Sequence, residues 1–390
     1  MLAASREGHA SREGFDDWDS VYVRDVGAQQ AEVAVRVAKT SQASALQAAM
    51  RALARLKWDA KDAADVCSLM QTSGQVPRVV VSGASGAIGT ELVSLLTALG
   101  VRVDRLVRKG SPQRTPNIAG RDWWWEPREG GNVESGALDG AHAVVHLAAE
   151  PVAGRWTDAK KRAIRESRVE GTRVLARATA QAQVPPRVFI AASGGHAYGD
   201  RGDDTMTEDA GIGSGFLAEI VRDWEAATAS AREAGVRVAN LRIGIVLHAS
   251  SGAIKQMLLP FRMGLGVIVG PGTQHWPWVS MADAVGVIMH VMASNVSGPV
   301  NVVGTQEATS ASFARALARA LDKPLFGLVP AALLRAGLGE QAQGLIMSTR
   351  VVPDVLRRSG YSFALPTVEG ALRWEVGSVR DVDVAIDGAF

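Results

Sequence analysis

The chain of 390 residues contains a single cysteine, Cys67. One thiol excludes an internal disulfide and a cysteine-based zinc site, and it favours a reducing compartment. Long hydrophobic runs are also missing. Apolar stretches such as Val79–Val81 and Ala143–Ala149 are far shorter than the roughly 20 residues needed to span a bilayer. We therefore expect no membrane span.

An excess of one charge is absent too. The formal net charge is +2, and no block of basic residues alternates with aromatic residues. This balance argues against a nucleic-acid partner. The N-terminus has no apolar signal segment, and acidic residues soon follow its serines and arginines, which is unlike a transit peptide. We expect a cytoplasmic location. An organelle matrix stays open as the alternative, if the N-terminal extension is a targeting segment.

The first 76 residues differ in character from the rest of the chain. Ser-Arg-Glu-Gly occurs twice, at 5–8 and 11–14, which is typical of low-complexity sequence. Apolar residues at helical spacing between 46 and 56 then predict a helix. We interpret residues 1–76 as a partly disordered, partly helical N-terminal extension. We predict a Rossmann domain over 77–250 and a C-terminal substrate lobe over 251–390.

Strand and helix patterns alternate from Pro77 onward. The predicted strands are Arg78–Ser82, Val101–Val107, Ala141–Ala148, Arg187–Ala192, Val236–Leu247 and Val300–Val303. The predicted helices are Gly89–Gly100, Lys160–Gln181, Phe216–Glu233, Ser310–Leu321 and Ala331–Leu338. This order predicts an α/β fold with a Rossmann-type, doubly wound parallel sheet. The less regular pattern after Gly252 predicts a smaller C-terminal α/β lobe.

A glycine-rich loop lies between the first strand and the first helix. Gly83 allows a tight turn, Gly86 lets the backbone approach a pyrophosphate, and Gly89 lets the helix pack against the strand. The helix N-terminus offers free N–H groups to phosphate oxygens. Glycine triplets are a weak signal alone, but this one follows a strand and opens a helix. The predicted cofactor contacts are Gly83, Ala84, Ser85, Gly86, Ala87 and Ile88.

The end of the second strand indicates which dinucleotide binds. An NAD site carries an acidic residue there for the ribose hydroxyl, whereas an NADP site uses arginine for the 2′-phosphate. The sequence has Arg108 and Lys109 at this place, and Asp104 lies too early in the strand to reach the ribose. We predict NADP(H) as the cofactor, with Arg108 on the 2′-phosphate. The alternative is that Arg108 and Lys109 are solvated surface charges.

From Pro77 to about Glu375 the chain resembles the extended short-chain dehydrogenase/reductase superfamily. Within it, the chain is most similar to the atypical NAD-dependent epimerase/dehydratase subgroup, sometimes labelled cell-division-inhibitor-like. The matching blocks occur in order along the chain: Gly83–Gly89, His146–Pro151, Arg155-Trp156, Ser167–Val169, Asp223–Ala226, Leu241–Leu247, Leu259–Leu265, Gly270–Gly272, Trp278 with Asp283, and Arg350–Pro353.

The resemblance implies further cofactor contacts. It places Leu147, Ala148 and Ala149 beside the dinucleotide where a strand ends, and it turns Arg168 toward the cofactor. Ordinary members have Asn-Val-x-Gly-Thr where this chain has Arg168-Val-Glu-Gly-Thr. A second cation suits a phosphate partner. The alternative is that Arg168 is a surface residue of an amphipathic helix.

The superfamily's catalytic Tyr-x-x-x-Lys pair is missing. None of the three tyrosines has a lysine four positions later, and the helix that should carry the pair begins Phe216-Leu-Ala-Glu-Ile220. Ser193 and Tyr198 are the remaining catalytic candidates, with His196 between them, because such groups can move protons. The structural alternative is that Ser193 bonds backbone, Tyr198 packs under a loop and His196 is solvated.

Two other patterns give weaker signals. Trp276 and Trp278 could line a substrate pocket or fill the junction between the lobes. Ser280 stands where relatives have histidine. His142 and His146 recur four positions apart on a predicted strand without a nearby carboxylate, so we predict no metal site.

Two functions remain open at this point. One is an NADP(H)-dependent oxidoreductase or epimerase-like enzyme acting on an unknown small molecule. The other is an NADP(H)-binding sensor or scaffold with decayed chemistry, linked to cell or organelle division. The missing tyrosine–lysine pair favours the second, and the Ser193–Tyr198 segment favours the first. We leave a homodimer open as the oligomeric state.

Overall fold

The computed structural model describes residues 77–110, 117 and 119–377. The predicted N-terminal extension lies outside the described residues. The strands are β1 Arg78–Ser82, β2 Arg102–Arg108, β3 Asp122–Trp125, β4 Ala143–His146, β5 Val188–Gly194, β6 Thr205–Met206, β7 Arg237–Ile243, β8 Ile245–Leu247, β9 Gly266–Val269, β10 Trp278–Ser280, β11 Gly298–Val302, β12 Leu325–Val329 and β13 Arg350–Val351.

The helices begin with α1 Ala87–Ala98, α2 Asp158–Ala180, α3 Phe216–Ala226, α4 Ala229–Glu233, α5 Gly252–Arg262 and α6 Met281–Ala293. They continue with α7 Ser310–Ala320, α8 Ala331–Leu338, a 3₁₀ turn Gly339–Ala342, α9 Gln343–Ile346, α10 Asp354–Arg358 and α11 Val368–Glu375.

The central sheet has seven strands in the order β11-β7-β5-β4-β1-β2-β3. Every neighbouring pair in it is parallel. The order reverses between β1 and β4, and ligands of such sheets bind in the crevice beyond the carboxyl ends of the strands at this reversal. The predicted Rossmann-type fold is confirmed.

The alternation of side chains along β1 explains why both sheet faces are covered. Val79 and Val81 pack into one core, with Leu92 of α1 and Val285 of α6. Val80 points to the opposite face and packs with Leu175 of α2 in a second core. A strand that buries both faces is apolar at successive positions, as β1 is.

The predicted domain boundary at residue 250 does not separate the strands of the two regions. β11 follows that boundary yet pairs with β7 in the central sheet. β6 precedes it yet pairs with β13 outside that sheet. The C-terminal region otherwise contains the parallel pairs β8–β10 and β9–β12. Residues 281–302 therefore belong with the Rossmann sheet, because α6 covers its face and β11 extends its edge.

Two predicted elements are interrupted in the structure. The strand predicted over Val236–Leu247 divides at Gly244. A Cβ at Gly244 would lie 2.7 Å from the Pro277 carbonyl oxygen, so the backbone there passes close to the segment before β10. The helix predicted over Phe216–Glu233 divides into α3 and α4, and at the break the Thr228 hydroxyl donates a 2.7 Å hydrogen bond to the Glu225 carbonyl oxygen.

Candidate functional site

The glycine loop brings β1 and α1 against the end of β4. Gly83 has φ +73°, and a Cβ on it would lie 2.6 Å from the Ala148 backbone nitrogen. A Cβ on Gly89 would overlap the Gly83 carbonyl oxygen. Both positions therefore require glycine for close backbone approach. Two segments that the sequence assigned to the cofactor, 83–88 and 147–149, thus lie in direct contact.

The start of α1 suits an anionic group. Gly86 is the N-cap residue, contributes no side-chain cap and is followed by no acidic residue in the first turn. The Gly86 N–H donates to the Gly83 carbonyl oxygen at 2.9 Å. Ser85 and Gly86 are exposed, whereas Ala84, Ala87 and Ile88 are half-buried. Backbone N–H groups at the exposed helix start are the donors that a pyrophosphate needs, so these residues fit a dinucleotide.

A buried hydrogen bond lies directly beneath this loop. Ser82 Oγ and His146 Nδ1 are 2.6 Å apart at the last paired position of β1 and β4. Both side chains are fully buried. Burial lowers the pKa of His146 to about 4, so the imidazole is neutral at neutral pH. Beyond it, Leu147 and Ala148 are half-buried and Ala149 is exposed.

Arg108 ends β2 on the surface. Its side chain is exposed, and the described residues provide no ion pair for it. Asp104, by contrast, is fully buried and accepts hydrogen bonds from Arg78 and Trp123 at 2.8 Å each. Burial alone would raise the pKa of Asp104, but hydrogen bonds from the Arg121 backbone, Trp123 and Arg78 hold it below its ordinary value. Asp104 therefore stabilises the sheet through these hydrogen bonds, and Arg108 is the charged group at the strand end.

Arg168 holds the loop that follows β4 in place by hydrogen bonds to backbone carbonyl groups. Its guanidinium donates to the carbonyl oxygens of Glu150 at 2.9 Å and Ile164 at 3.1 Å. It also lies 5.1 Å from the centroid of the Trp224 ring. Burial lowers the pKa of Arg168 to about 10. These contacts favour a positioning role for Arg168, and direct cofactor contact stays a prediction.

Ser193 and Tyr198 meet through an ion pair that the sequence analysis missed. Ser193 Oγ donates to Glu225 at 2.8 Å. Arg242 donates to both oxygens of Glu225, at 2.8 and 2.9 Å, and to the Tyr198 hydroxyl at 2.9 Å. Tyr198 donates in turn to Asn301 Oδ1 at 2.7 Å. The five side chains form one continuous network across β5, the turn that follows it, α3, β7 and β11.

This network has little access to a substrate. Tyr198 has no exposed surface, and Ser193 has 4%. Burial raises the pKa of Tyr198, although Arg242 and Asn301 oppose the shift. The phenol therefore stays protonated and engaged. The placement favours a structural role for Tyr198 over the predicted catalytic one, and the Ser193 hydroxyl is engaged in its hydrogen bond to Glu225.

The missing tyrosine–lysine pair is replaced by an apolar corner. Phe216 opens α3, and its ring packs tilted against the Trp156 ring with 5.1 Å between the centroids. Lys161 Nζ of α2 lies 5.3 Å from the Phe216 ring centroid and forms an ion pair with Glu340. Ile220 is 2% exposed. A cation thus lies over Phe216, but it comes from a different helix than in the superfamily pattern.

The tryptophan block belongs to the packed interior. Trp276 and Trp278 are buried and donate to the carbonyl oxygens of Leu345 at 3.1 Å and Gln306 at 2.8 Å. Ser280 caps α6 by accepting the Asp283 N–H at 2.9 Å. These contacts agree with the packing alternative for the tryptophans and give Ser280 a helix-capping role.

Metal sites and membrane spans are both absent from the described residues. In residues 77–110, 117 and 119–377, no three His, Cys, Asp or Glu side chains are grouped to hold a metal ion. Each helix of the described part of the chain is too short or too polar to cross a bilayer.

The fold and the loop geometry together define a Rossmann protein whose glycine loop fits a dinucleotide. Residues 79–304 match the model of the NAD dependent epimerase/dehydratase family, and residues 329–375 match a domain of unknown function, DUF1731. The chain is 36% identical over 297 residues to the epimerase family protein Mb2239 of Mycobacterium bovis, covering 75% of this chain and 96% of that protein. The chain belongs to the NAD dependent epimerase/dehydratase family.

Solved structures agree with this assignment. The human epimerase family protein SDR39U1, isoform 2, crystallised with NADPH, superposes with a TM-score of 0.69 at 32% identity, covering 77% of this chain and 100% of that one. MoeE5, in complex with UDP-glucuronic acid and NAD, has a TM-score of 0.60 at 21% identity, with 77% and 100% covered. The second similarity concerns the fold alone.

Proposed function

We propose that this protein binds NADP(H) and uses it for hydride transfer to or from a small molecule bearing a carbonyl or hydroxyl group. The observation that carries the proposal is the contact between Gly83 and Ala148, which joins the uncapped start of α1 to the predicted cofactor segment after β4. Cofactor contacts are assigned to 83–88, 147–149 and Arg108, with Arg168 holding the loop after β4.

Arg108 supports the choice of phosphorylated cofactor. It is an exposed cation at the end of β2, where the ribose of the adenosine half is expected. The one acidic residue of that strand, Asp104, is occupied inside the sheet. The human relative solved with NADPH gives independent support. Bound NADP(H) would supply or accept the hydride.

The test compares two cofactors and two arginines. Ten tryptophans allow NADPH and NADH binding to be followed by energy transfer from tryptophan to the reduced nicotinamide. Arg108→Asp should weaken NADPH binding roughly 10- to 100-fold, since a charge-assisted contact contributes about 1.5–3 kcal/mol. NADH binding should change little. Arg177→Asp is the matched control, because Arg177 is an exposed arginine in the last turn of α2. Equal weakening of both cofactors would refute the NADP assignment.

A second candidate function is a cofactor-binding sensor or scaffold without turnover. Phe216 and Ile220 favour it, because neither side chain can exchange a proton. Wild-type protein that binds NADPH tightly but oxidises none of it in the presence of a carbonyl panel would favour the sensor. Oxidation of NADPH with any member of the panel would favour the enzyme.

A further inference from the structure

His196 lies at the carboxyl edge of the sheet. It follows β5 in a turn where Gly195 packs against β7, since a Cβ on Gly195 would lie 2.8 Å from the Ile243 carbonyl oxygen. The His196 carbonyl accepts the Gly199 N–H at 3.2 Å, which closes the turn. β5 lies two strands from β1 in the sheet, or about 10 Å at the usual strand spacing. His196 is therefore beside the crevice that begins at the glycine loop.

Contacts with the C-terminal region relate His196 to Phe216, which stands where the tyrosine of the absent tyrosine–lysine pair is expected. The imidazole contacts the backbone of Gly344 in α9. Phe216 lies under Lys161, which is paired with Glu340 in the preceding 3₁₀ turn. Glu340 and Gly344 are about one helical turn apart, or roughly 6–8 Å. His196 and Phe216 are therefore both linked to residues 340–344, His196 directly and Phe216 through Lys161.

We propose that His196 is the proton-transfer residue of this site and acts in place of the absent tyrosine–lysine pair. This inference rests on the proposed function. The other two candidates in the same segment are committed, because Ser193 donates to Glu225 and Tyr198 is held by Arg242 and Asn301. Lys161 is paired with Glu340. His196 is half-buried and lies at the carboxyl edge of the sheet, against Gly344.

Imidazole chemistry suits this place. Histidine changes charge close to neutral pH and can both donate and accept a proton. Burial lowers the pKa of His196 below its ordinary value, and the hydrogen bond to the Gly344 backbone opposes the shift. The charged groups on neighbouring elements are paired with each other: Lys161 with Glu340, and Arg242 with Glu225.

The step balances with one proton. Reduction of a carbonyl needs a hydride, which bound NADPH supplies as it becomes NADP⁺, and a proton for the carbonyl oxygen. His196 in its imidazolium form donates that proton, the oxygen becomes a hydroxyl group, and the neutral imidazole takes a new proton from water. In the reverse direction, neutral His196 accepts the hydroxyl proton.

The first experiment measures access to His196 without any substrate. Diethyl pyrocarbonate acylates accessible neutral imidazoles, and peptide mass spectrometry gives the rate at each histidine. We expect His196 to be modified in the apoprotein and its rate to fall at least about fivefold under saturating NADP⁺. His275, which lines a cleft of the C-terminal region, is the internal control and should keep its rate. An unchanged rate at His196 under demonstrated NADP⁺ binding would overturn the inference.

The second experiment separates this inference from the proposed function. With phenanthrenequinone as carbonyl probe, His196→Gln should keep the NADPH dissociation constant within about twofold. Its turnover should fall at least about 100-fold, the usual loss when a general acid is removed. Undiminished turnover in His196→Gln overturns the role of His196 and leaves the enzyme function intact. Failure of wild-type protein to bind NADPH overturns both. If the wild type binds NADPH without reducing the quinone, the labelling experiment tests the inference: protection of His196 by NADP⁺ supports it, and an unchanged rate overturns it.

Discussion

A Cβ on Gly83 would lie 2.6 Å from the backbone nitrogen of Ala148, and this approach joins the two segments that are predicted to hold the dinucleotide. Gly83 also has φ +73°, a conformation that costs a residue with a side chain roughly 1–2 kcal/mol. The steric contact and the backbone strain act at the same position. The geometry of the loop is therefore sensitive to a single methyl group.

Gly83→Ala should weaken NADPH binding at least about tenfold and lower the melting temperature. The new methyl group must push the loop away from β4, because both colliding groups are backbone atoms. Titration by tryptophan energy transfer and thermal unfolding measure the two effects. Gly211→Ala is the control, since nothing lies within 4 Å of a Cβ there and its φ is not positive. Unchanged affinity in Gly83→Ala would mean that the loop does not hold the cofactor.

The Ser193–Glu225–Arg242–Tyr198 network should act on stability more than on chemistry. Tyr198→Phe removes the hydroxyl that Arg242 donates to and that donates to Asn301. We expect a loss of about 1–3 kcal/mol in the free energy of unfolding, because buried partners lose their hydrogen bonds. Urea unfolding gives the stability, and NADPH titration should show unchanged affinity. A large loss of turnover at unchanged stability would instead support the catalytic role for Tyr198.

The buried Ser82–His146 pair should make the protein sensitive to acid. Because burial lowers the folded-state pKa of His146 from 6.5 to about 4, the unfolded chain binds a proton between these pH values while the folded chain does not. Stability contributed by the neutral imidazole is therefore full above about pH 6.5 and is lost as the pH falls toward 4. The loss amounts to about 3 kcal/mol.

His146→Asn isolates this contribution, because asparagine can hydrogen-bond Ser82 but does not titrate. Urea unfolding of both proteins between pH 7 and pH 4 gives the difference in pH dependence. The wild type should lose more stability than the variant over this range. Parallel curves for the two proteins would show that His146 is not held neutral by burial.

The parts of the fold that could be predicted from the sequence are those marked by short, contiguous patterns. β-branched runs such as Val79–Val81 and the glycine loop are contiguous, so they indicate the Rossmann core directly. The strand β11 could not be assigned to the sheet in this way, since its partner β7 is distant in sequence and other elements intervene.

The polar network was missed for a related reason. Glu225 is 32 positions from Ser193 and 17 from Arg242, so no local motif joins them. One signal was available: Arg242 interrupts the apolar run Leu241–Leu247, and a buried arginine needs an acidic partner. The position of Arg108 follows from the end of the second strand, which the hydrophobic pattern defines, whereas 147–149 came from the family resemblance, and both stay predictions as cofactor contacts.

The last prediction concerns the corner where the tyrosine–lysine pair is absent. Phe216→Tyr would place a hydroxyl on the ring that Lys161 already faces at 5.3 Å. A nearby ammonium lowers the pKa of a phenol. We therefore expect this single change to raise NADPH-dependent reduction of phenanthrenequinone, without a lysine at position 220.

Ile220→Lys should not help, because this side chain is 2% exposed and a buried, unpaired ammonium is strongly unfavourable. We expect that variant to lose several kcal/mol of stability or to fold poorly. Phe216→Leu is the control for Phe216→Tyr, since it alters the same corner without adding a hydroxyl. If Phe216→Tyr and Phe216→Leu reduce the quinone at the same rate, Lys161 does not substitute for the missing lysine.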